Sequence, residues 1–491
     1  MREYFDHFIS LAENNQALQR FRPLFIFLLF LGVALLLRFF SFFPSVINHD
    51  ESTYIVISDT LLRGHTYQVD FIDTKPIGIF LVYAFFQLVL GKSILLFRIA
   101  AAATLALTSF FLYRAKRSFG SRPEAAFAAG LIYLFLNSIF TYYGVSPNTE
   151  TFFNLFTALA LWAWCSRPPL WGYFLAGLSL GIGFVIKYVV LFDGLAFGLF
   201  LLWQARVGKE QWAAAWAKAI VMAVGAALPF LTVLAWYQHT GHLEAFWFYS
   251  FTVSSRYPES KDLLDYVTFF LDFNLRFLPV AFFVYYVLFR RSGHLEQRQF
   301  GLLWAALVLL AVMLPGKLFG HYFIQLMLPF SFLAGEFFGI SREELPKRLQ
   351  WLRQPRIGYS LLVLLIVINL SLQYKDYYLK ADYPRQIAAF LAPQLTPDDV
   401  VYTINDQVIY HLLGKLPPLP YVHPSLFWEA QHVEALEIDQ EKELQELKAL
   451  LPRFMIFRSP QYESHFSELL EEKYRLAKQI EERVYIYERI R

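Results

Sequence analysis

The chain has 491 residues, of which 57% are apolar and only 17% are charged. Soluble proteins carry about a quarter charged residues, so this composition excludes an ordinary soluble protein and indicates a chain whose main solvent is lipid. The net charge of +3 gives no reason to expect nucleic-acid binding, and the single cysteine, Cys165, excludes an intramolecular disulfide and a cysteine-based metal site.

The first apolar segment, residues 24–43, is predicted to be a retained membrane span. It is longer than the apolar core of a typical signal peptide, and no small-x-small cleavage site follows it. Arg38 also interrupts the apolar run. The segment is therefore interpreted as the first crossing of a polytopic chain.

The basic clusters predict the topology, because cytoplasmic loops collect Lys and Arg. Four stretches are assigned to the inside: 114–117, 206–218, 290–298 and 342–356. About eleven spans then alternate between the faces: 24–43, 95–113, 124–142, 151–166, 171–186, 188–203, 219–237, 275–289, 300–315, 322–340 and 357–373. The N-terminus is predicted to lie inside and the C-terminus outside.

Residues 77–91 form an apolar run that this topology excludes as a span. A crossing there would invert every later loop, and about fifteen residues are few for a hydrocarbon core of roughly 30 Å. The run is predicted to be interfacial or re-entrant, within a long first outer loop over 44–94. A true span at 77–91, with a compensating error elsewhere, stays open.

The composition changes after Gln373, where charged residues return. Short strands are predicted at 400–404, 454–457 and 484–487, with helices near 406–413 and 427–450. The predicted fold is therefore an all-α polytopic membrane domain over 1–373, with a small soluble α/β domain over 374–491. No glycine-rich phosphate loop or nucleotide fingerprint occurs in the chain.

Two groups of polar residues in the first outer loop are candidates for chemistry. His49, Asp50 and Glu51 directly follow the first span, and an amphipathic stretch follows at 55–62. Lys75 precedes a proline, which favours an extended backbone from which the ammonium can face an anion. The alternative interpretation is that these carboxylates are ordinary solvent-exposed residues of a loop.

Further candidates lie at the predicted outer ends of later spans. Glu150 begins a span, where the helix dipole alone would favour a carboxylate. Lys187 lies between two apolar runs and either faces a cavity or extends to the interface. His321 and Tyr322 follow Lys317, and Asp193 is an intramembrane carboxylate. Carboxylates and cations on one face suit a base that activates a hydroxyl while cations hold a departing phosphate; an ion-coupled transporter would also use such charges.

The ordered set of motifs resembles the C-type (GT-C) glycosyltransferases, in the branch that contains the protein O-mannosyltransferases and the lipid A aminoarabinose transferase. The resemblance rests on His49-Asp50-Glu51-x-x-Tyr54, Lys75-Pro76, Asn148-Thr149-Glu150, Ile186-Lys187-Tyr188 and Gly320-His321-Tyr322. It covers roughly residues 20–340. An arginine often precedes the His-Tyr pair in relatives, whereas here the nearest cation is Lys317.

The resemblance implies a polyprenyl-phosphate sugar as donor and inversion at the anomeric carbon. It implies Asp50 as general base, with Lys75 and Lys187 at the donor phosphate. Glu150 would support the site, and His321 and Tyr322 would line the donor or acceptor pocket. Supporting or acceptor-binding roles fall to the remaining residues of the first motif, His49, Glu51 and Tyr54.

The sequence leaves the sugar, the acceptor and the oligomeric state open. Some relatives use a divalent metal, for which His49, Asp50, Glu51 and Glu150 could supply ligands; an essential metal is not expected. The expected partners are the lipid-linked donor, an envelope acceptor (protein, lipid A or another glycan) and membrane lipid. A bacterial inner membrane, with the site and the C-terminal domain extracytoplasmic, is predicted. A transporter or lipid flippase, and a non-catalytic scaffold, are the alternatives.

Overall fold

The computed structural model describes residues 16–166, 168–256, 261–290 and 295–490. Within these ranges, sixteen α-helices precede the C-terminal region: α1 Gln16–Leu37, α2 His49–Leu62, α3 Gly78–Leu90, α4 Ile94–Ser118, α5 Pro123–Leu136, α6 Thr149–Cys165, α7 Leu170–Ile186, α8 Leu191–Arg206, α9 Trp212–His239, α10 Leu243–Trp247, α11 Val253–Arg256, α12 Leu263–Arg276, α13 Leu278–Phe289, α14 Leu295–Met313, α15 Phe323–Phe337 and α16 Pro355–Gln373. Short 3-10 turns precede α8 and α15, at Tyr188–Val190 and Gly320–Tyr322.

The C-terminal region combines short helices with four strands. In chain order these are α17 Tyr383–Leu391, β1 Val401–Thr403, α18 Val408–Leu413, α19 Pro424–Trp428, α20 Ala430–Ala435, α21 Gln440–Ala449, β2 Phe454–Phe457, α22 Pro460–Glu463, α23 Ser467–Lys473, β3 Tyr474–Ile480 and β4 Val484–Arg489. The strand order is β1-β2-β4-β3. β1 pairs with β2 in parallel, and β4 runs antiparallel to both β2 and β3.

The chain divides into two compact units. Unit 1 consists of Met1–Phe42, Arg98–Thr232 and Ser260–Tyr378. Unit 2 consists of Phe43–Phe97, Val233–Glu259 and Leu379–Arg491. The first outer loop predicted from the sequence is thus part of the unit that contains the sheet, whereas the proposal of an independent domain over 374–491 stays a prediction.

Five helical segments of the described residues are long and apolar enough to cross a membrane, and the chain is a multi-pass membrane protein. They are Ile94–Ser118, Tyr188–Arg206, Trp212–His239, Leu295–Met313 and Arg356–Gln394. A sixth results if α12 and α13, which bend by 103° at their junction, are counted together. The predicted count of about eleven is not confirmed, because the helices at several predicted spans have 17 residues or fewer.

The apolar run at 77–91 forms the short helix α3, as its length predicts. Thirteen residues extend about 20 Å, less than the roughly 30 Å of a hydrocarbon core. Leu81, Phe85, Leu88 and Val89 leave an apolar stripe exposed on one side of α3. This pattern fits a helix that lies in the membrane interface.

Unit 1 contains a close contact between α7 and α9 that only glycine allows. A Cβ atom at Gly177 would collide with the backbone carbonyl of Met222, and one at Gly225 with the carbonyl of Phe174. Small residues at helix crossings let backbones approach and gain van der Waals contact within a membrane.

We expect Gly177→Leu to lower the free energy of unfolding by about 3 kcal/mol, the upper end of overpacking costs. Gly32→Leu is the matched control, since a Cβ at Gly32 meets nothing within 4 Å. Thermal unfolding in lipid nanodiscs measures both variants. Equal unfolding temperatures would show that the close crossing does not limit stability.

In unit 2, a buried acid–base pair joins the first outer loop to the C-terminal region. His411 Nδ1 lies 2.6 Å from Asp59 Oδ2, and Lys92 Nζ lies 3.0 Å from Asp59 Oδ1. Burial raises the pKa of Asp59, but the hydrogen bonds and charges of His411 and Lys92 outweigh it and hold the pKa below its usual value. The backbone of Ile72 also donates to Pro420 at 2.9 Å, so the loop is held at two points.

Candidate functional site

The start of α2 positions the carboxylates of the first motif. Asn48 caps the helix and accepts from the backbone N–H of Glu51 at 2.9 Å, while Ile47 N–H donates to Glu51 Oε2 at 3.0 Å. These two contacts resemble a capping box. Glu51 is fully buried, so the contacts indicate a structural role for this predicted supporting residue.

Asp50 and Lys75 form the centre of a cluster in unit 2. Lys75 Nζ lies 2.9 Å from Asp50 Oδ1 and 3.7 Å from Asp73 Oδ1. The same ammonium lies 5.5 Å from the ring centre of Tyr54, which is buried. Asp73 Oδ1 also accepts from the backbone N–H of Lys75 at 3.0 Å. The predicted base, phosphate-binding lysine and supporting tyrosine are therefore neighbours, with Lys75 held between two carboxylates.

His423 completes this cluster, and the sequence analysis did not identify it. Its Nε2 lies 3.8 Å from Asp50 Oδ1, and its ring lies 6.4 Å from the ring of His49. Burial, followed by the charge of Lys75, lowers the pKa of His423 to about 4. His423 is therefore neutral near pH 7 and does not compete with Lys75 for the carboxylate of Asp50.

The low pKa of His423 predicts acid sensitivity. An unfolded histidine takes up its proton near pH 6.5, whereas His423 in the folded chain does so near pH 4. The unfolded state binds more protons between these values, so stability falls as the pH is lowered through this window. We expect His423→Gln to lose less thermal stability than wild type between pH 6.5 and pH 4. His65→Gln, which alters a more exposed histidine of unit 2, serves as control; identical pH profiles for wild type and His423→Gln would contradict the assignment.

A second cluster lies in unit 1, around Lys187. The backbone is extended at Lys187, between α7 and the 3-10 turn that precedes α8. Its ammonium donates to Glu150 Oε1 and lies 4.1 Å from the ring centre of Tyr322. Glu150 is buried at the start of α6, and Thr149 Oγ1 donates to its Oε2 at 2.9 Å. His321 contacts Tyr322, with ring centres 4.7 Å apart. Three sequence motifs that lie far apart along the chain thus meet at Lys187.

The intramembrane carboxylate Asp193 belongs to neither cluster. It accepts hydrogen bonds from Trp304 Nε1 at 2.6 Å and from Gln325 Nε2 at 2.7 Å. These contacts join α8 to α14 and α15. They give the buried carboxylate a structural explanation that requires no transported ion.

The donor set does not fit a metal centre. Within the described ranges, no group of three or more His, Cys, Asp and Glu side chains is arranged to hold a metal ion. At Asp50 the ammonium of Lys75 lies 2.9 Å from the carboxylate.

Part of the chain is similar in sequence to known transferases. Residues 74–236 match the family described as dolichyl-phosphate-mannose-protein mannosyltransferase. Undecaprenyl phosphate-α-4-amino-4-deoxy-L-arabinose arabinosyl transferase 2 of Pseudomonas fluorescens is 27% identical over 234 residues, which cover 41% of this chain and 40% of the relative. The corresponding transferase of Pseudomonas aeruginosa is 29% identical over 172 residues, which cover 32% and 31%. The matches thus span less than half the length of these curated relatives.

Solved structures extend the similarity to nearly the whole chain. ArnT from Cupriavidus metallidurans bound to undecaprenyl phosphate superposes with a TM-score of 0.64 at 14% identity, covering 94% of this chain and 97% of that one. The apo oligosaccharyltransferase of Archaeoglobus fulgidus gives a TM-score of 0.50 at 12% identity, covering 91% and 71%. The resemblance seen in the sequence is thus confirmed: the chain has the GT-C fold of ArnT, and parts of its sequence are similar to the protein O-mannosyltransferases and the aminoarabinose transferases.

Proposed function

We propose that this chain is a membrane glycosyltransferase that moves a sugar from a polyprenyl-phosphate donor to a hydroxyl of an envelope acceptor. The observation that carries the proposal is the Asp50–Lys75 pair, which places a carboxylate 2.9 Å from a partly exposed ammonium. Such a pair supplies the two groups the reaction needs: a base for the attacking hydroxyl and a cation for the departing phosphate. The named activity of the relatives, sugar transfer from undecaprenyl phosphate, supports the same reaction.

In the proposed reaction, a carboxylate oxygen of Asp50 accepts the proton of the acceptor hydroxyl. The acceptor oxygen forms a bond to the anomeric carbon, and the bond between that carbon and the phosphate oxygen breaks. The electron pair leaves with the polyprenyl phosphate, and attack opposite the leaving group inverts the anomeric centre. Lys75 stabilises the negative charge on the departing phosphate.

Neighbouring residues fix the two reacting groups. The cap of α2 holds the backbone of Asp50, and the ring of Tyr54 together with Asp73 confines the ammonium of Lys75. About 28% of the Lys75 side chain is exposed, which leaves room for a phosphate oxygen. Lys187, paired with Glu150 in unit 1, is a second cation of the kind an anionic donor requires, and its assignment to the donor phosphate rests on the family resemblance.

The proposal includes the orientation of the chain. The positive-inside pattern supports about eleven crossings of a bacterial inner membrane, with Asp50 and residues 374–491 extracytoplasmic. A transporter or flippase is not favoured, because the relatives are named as transferases and Asp193 has structural partners.

The proposal is tested with purified protein in nanodiscs and a panel of radiolabelled undecaprenyl-phosphate sugars, mixed with an envelope extract as the acceptor pool. We expect label to pass from one donor to extract material and undecaprenyl phosphate to be released. Folded protein that releases no carrier lipid from any donor, even by slow hydrolysis, would contradict the function whatever the acceptor is.

A further inference from the structure

His423 lies beside the proposed base, and its two ring nitrogens make different contacts. The residue directly precedes helix α19 in unit 2, and its side chain is 19% exposed. One nitrogen, Nδ1, lies 3.3 Å from the backbone nitrogen of Ser425 and 2.7 Å from its Oγ. The other nitrogen, Nε2, lies 3.8 Å from Asp50 Oδ1. The ring therefore lies between the C-terminal region and the carboxylate of the first outer loop.

The contacts with Ser425 determine which ring nitrogen carries the proton. A backbone N–H can only donate, so the Nδ1 atom that it contacts must be an acceptor without a proton. The serine hydroxyl can donate to the same atom. His423 is neutral near pH 7, because burial lowers its pKa to about 4. Its single ring proton is therefore on Nε2, the nitrogen that faces Asp50.

This tautomer excludes His423 as an alternative general base. Its Nε2 already carries a proton, and its Nδ1 accepts from Ser425. The imidazole can instead donate its Nε2–H to the carboxylate of Asp50. The separation of 3.8 Å is about 1 Å longer than a hydrogen bond. Catalytic hydrogen bonds often reach their final length only in the complex with substrate, so a small movement suffices.

The charges around the ring explain why a neutral donor suits this position. The titratable groups whose charges act on His423 are Lys75, Asp50, Asp73 and His49. Lys75 already places one positive charge 2.9 Å from Asp50 Oδ1. A second cation would make the carboxylate a poorer base, because nearby positive charges stabilise its ionised form. A neutral N–H can orient the carboxylate without adding a full charge.

We propose that His423 is a positioning residue for the general base: its Nε2–H, fixed in that tautomer by Ser425, orients the carboxylate of Asp50 for the acceptor hydroxyl. The C-terminal region thus contributes a side chain to the reaction. The inference deepens the proposed function and rests on it for the effect on transfer. The tautomer and the contact with Asp50 can be measured without turnover.

Ring-nitrogen NMR of isotope-labelled histidine, on the full chain in nanodiscs near pH 7, tests the geometry. We expect the His423 signals, identified by their absence in His423→Asn, to show the Nε2–H tautomer. Ser425→Ala should populate the other tautomer. Asp50→Asn should shift the Nε2 resonance, whereas Asp70→Asn, in the same loop, should leave it in place. An Nδ1–H tautomer in wild type, or an Nε2 resonance that ignores Asp50→Asn, would overturn the proposal.

Two substitutions separate the contacts of the ring during transfer. The side-chain oxygen of asparagine can replace Nδ1, but its amide is too short to reach Asp50, whereas the amide nitrogen of glutamine can replace Nε2. We expect His423→Asn to lower kcat by about 10–100-fold, as a misplacement of about 1 Å does, with the KM of the donor unchanged. His423→Gln should restore most of that loss. His465→Asn, at an exposed histidine of the same unit, should transfer as wild type does.

The pH profile distinguishes positioning from a purely structural role. Loss of a donor destabilises the ionised carboxylate, so the acid limb of kcat should move to higher pH in His423→Asn. His423→Lys adds a cation and should move the limb to lower pH. An unmoved limb in both variants, or equal losses of kcat in His423→Asn and His423→Gln, would contradict the proposal.

The two kinds of measurement also separate this inference from the proposed function. If wild type releases no carrier lipid from any donor, the proposed function fails, while the NMR signals still decide whether His423 contacts Asp50. If wild type transfers sugar and His423→Asn transfers equally well, the function stands and the positioning role fails.

Discussion

Replacement of Asp50 with asparagine is expected to lower kcat for sugar transfer by about 10²–10⁴-fold, the contribution typical of a general base. Asparagine keeps the size of the side chain but cannot take the proton of the acceptor hydroxyl. Asp50 is partly exposed, whereas Asn48 and the buried Glu51 make the capping contacts at the start of α2. The variant should therefore fold like wild type, and single-turnover kinetics with a saturating donor should show the loss in the chemical step.

Asp70→Asn is the matched control, because Asp70 lies in the same loop, is 46% exposed and accepts from Thr66 N–H. An asparagine there can still accept that hydrogen bond, so transfer should remain within about twofold of wild type by the small effects usual for surface changes. Transfer at the wild-type rate in folded Asp50→Asn would rule out Asp50 as the base.

Lys187→Met is expected to lower the free energy of unfolding by about 3–5 kcal/mol, the usual cost of leaving one member of a buried ion pair without its partner. Glu150 is only 1% exposed, so water cannot take over the role of the ammonium. The variant should also lose transfer activity if Lys187 contacts the donor phosphate. Unfolding in nanodiscs and transfer assays below the unfolding temperature measure the two effects separately.

The double variant Glu150→Gln/Lys187→Met separates stability from function. It removes both charges, so most of the stability lost in Lys187→Met should return, while transfer should stay low. If transfer returned together with stability, Lys187 would hold the fold and would not bind the donor. Lys209→Met breaks an exposed pair with Glu296 and should change stability by less than about 1 kcal/mol.

Local patterns in the sequence predicted much of the first cluster. Asp50 lies in the first turn of α2, just after the N-cap Asn48, and Lys75 directly precedes Pro76, so the immediate neighbours of both residues indicated their positions. The amphipathic surface helix predicted over 55–62 was wrong, because α2 is buried along residues 51–60. The break between two helices at Lys187 was indicated by a charged residue between two apolar runs. Each of these signals is contained in a few consecutive residues.

Contacts over long sequence distances could not be predicted in this way. His423 approaches Asp50 only because the C-terminal region packs in unit 2 with the first outer loop. His423 directly precedes a short helix that begins at Pro424. These neighbouring residues do not distinguish it from a solvent-exposed histidine. A single sequence does not indicate which distant segments of the chain come into contact.

The sequence analysis missed the strand β3, and its number of membrane spans is not confirmed. β3 has a half-exposed, charged pattern and joins β4 through Glu481 and Glu482, both at positive φ where glycine or asparagine is expected. Membrane spans were counted by hydropathy and charge, yet several of the corresponding helices end after 14 to 17 residues. Arg38 shows one way in which a helix ends: it directly follows Leu37, the last residue of α1, and donates to the carbonyls of Asn137 and Gly144.

The Asp59–His411 pair has a consequence for biosynthesis. Its two members are 352 residues apart in the chain, so at roughly 5–20 residues per second the ribosome adds the histidine roughly 20–70 s after the aspartate. During that interval the loop with Asp50 and Lys75 lacks the C-terminal residues that it contacts in the folded chain. Nonsense mutations late in the gene should therefore abolish the first cluster while leaving the membrane helices inserted. Synthesis of the last fifth of the chain would then be the step that completes the first cluster in a newly made molecule.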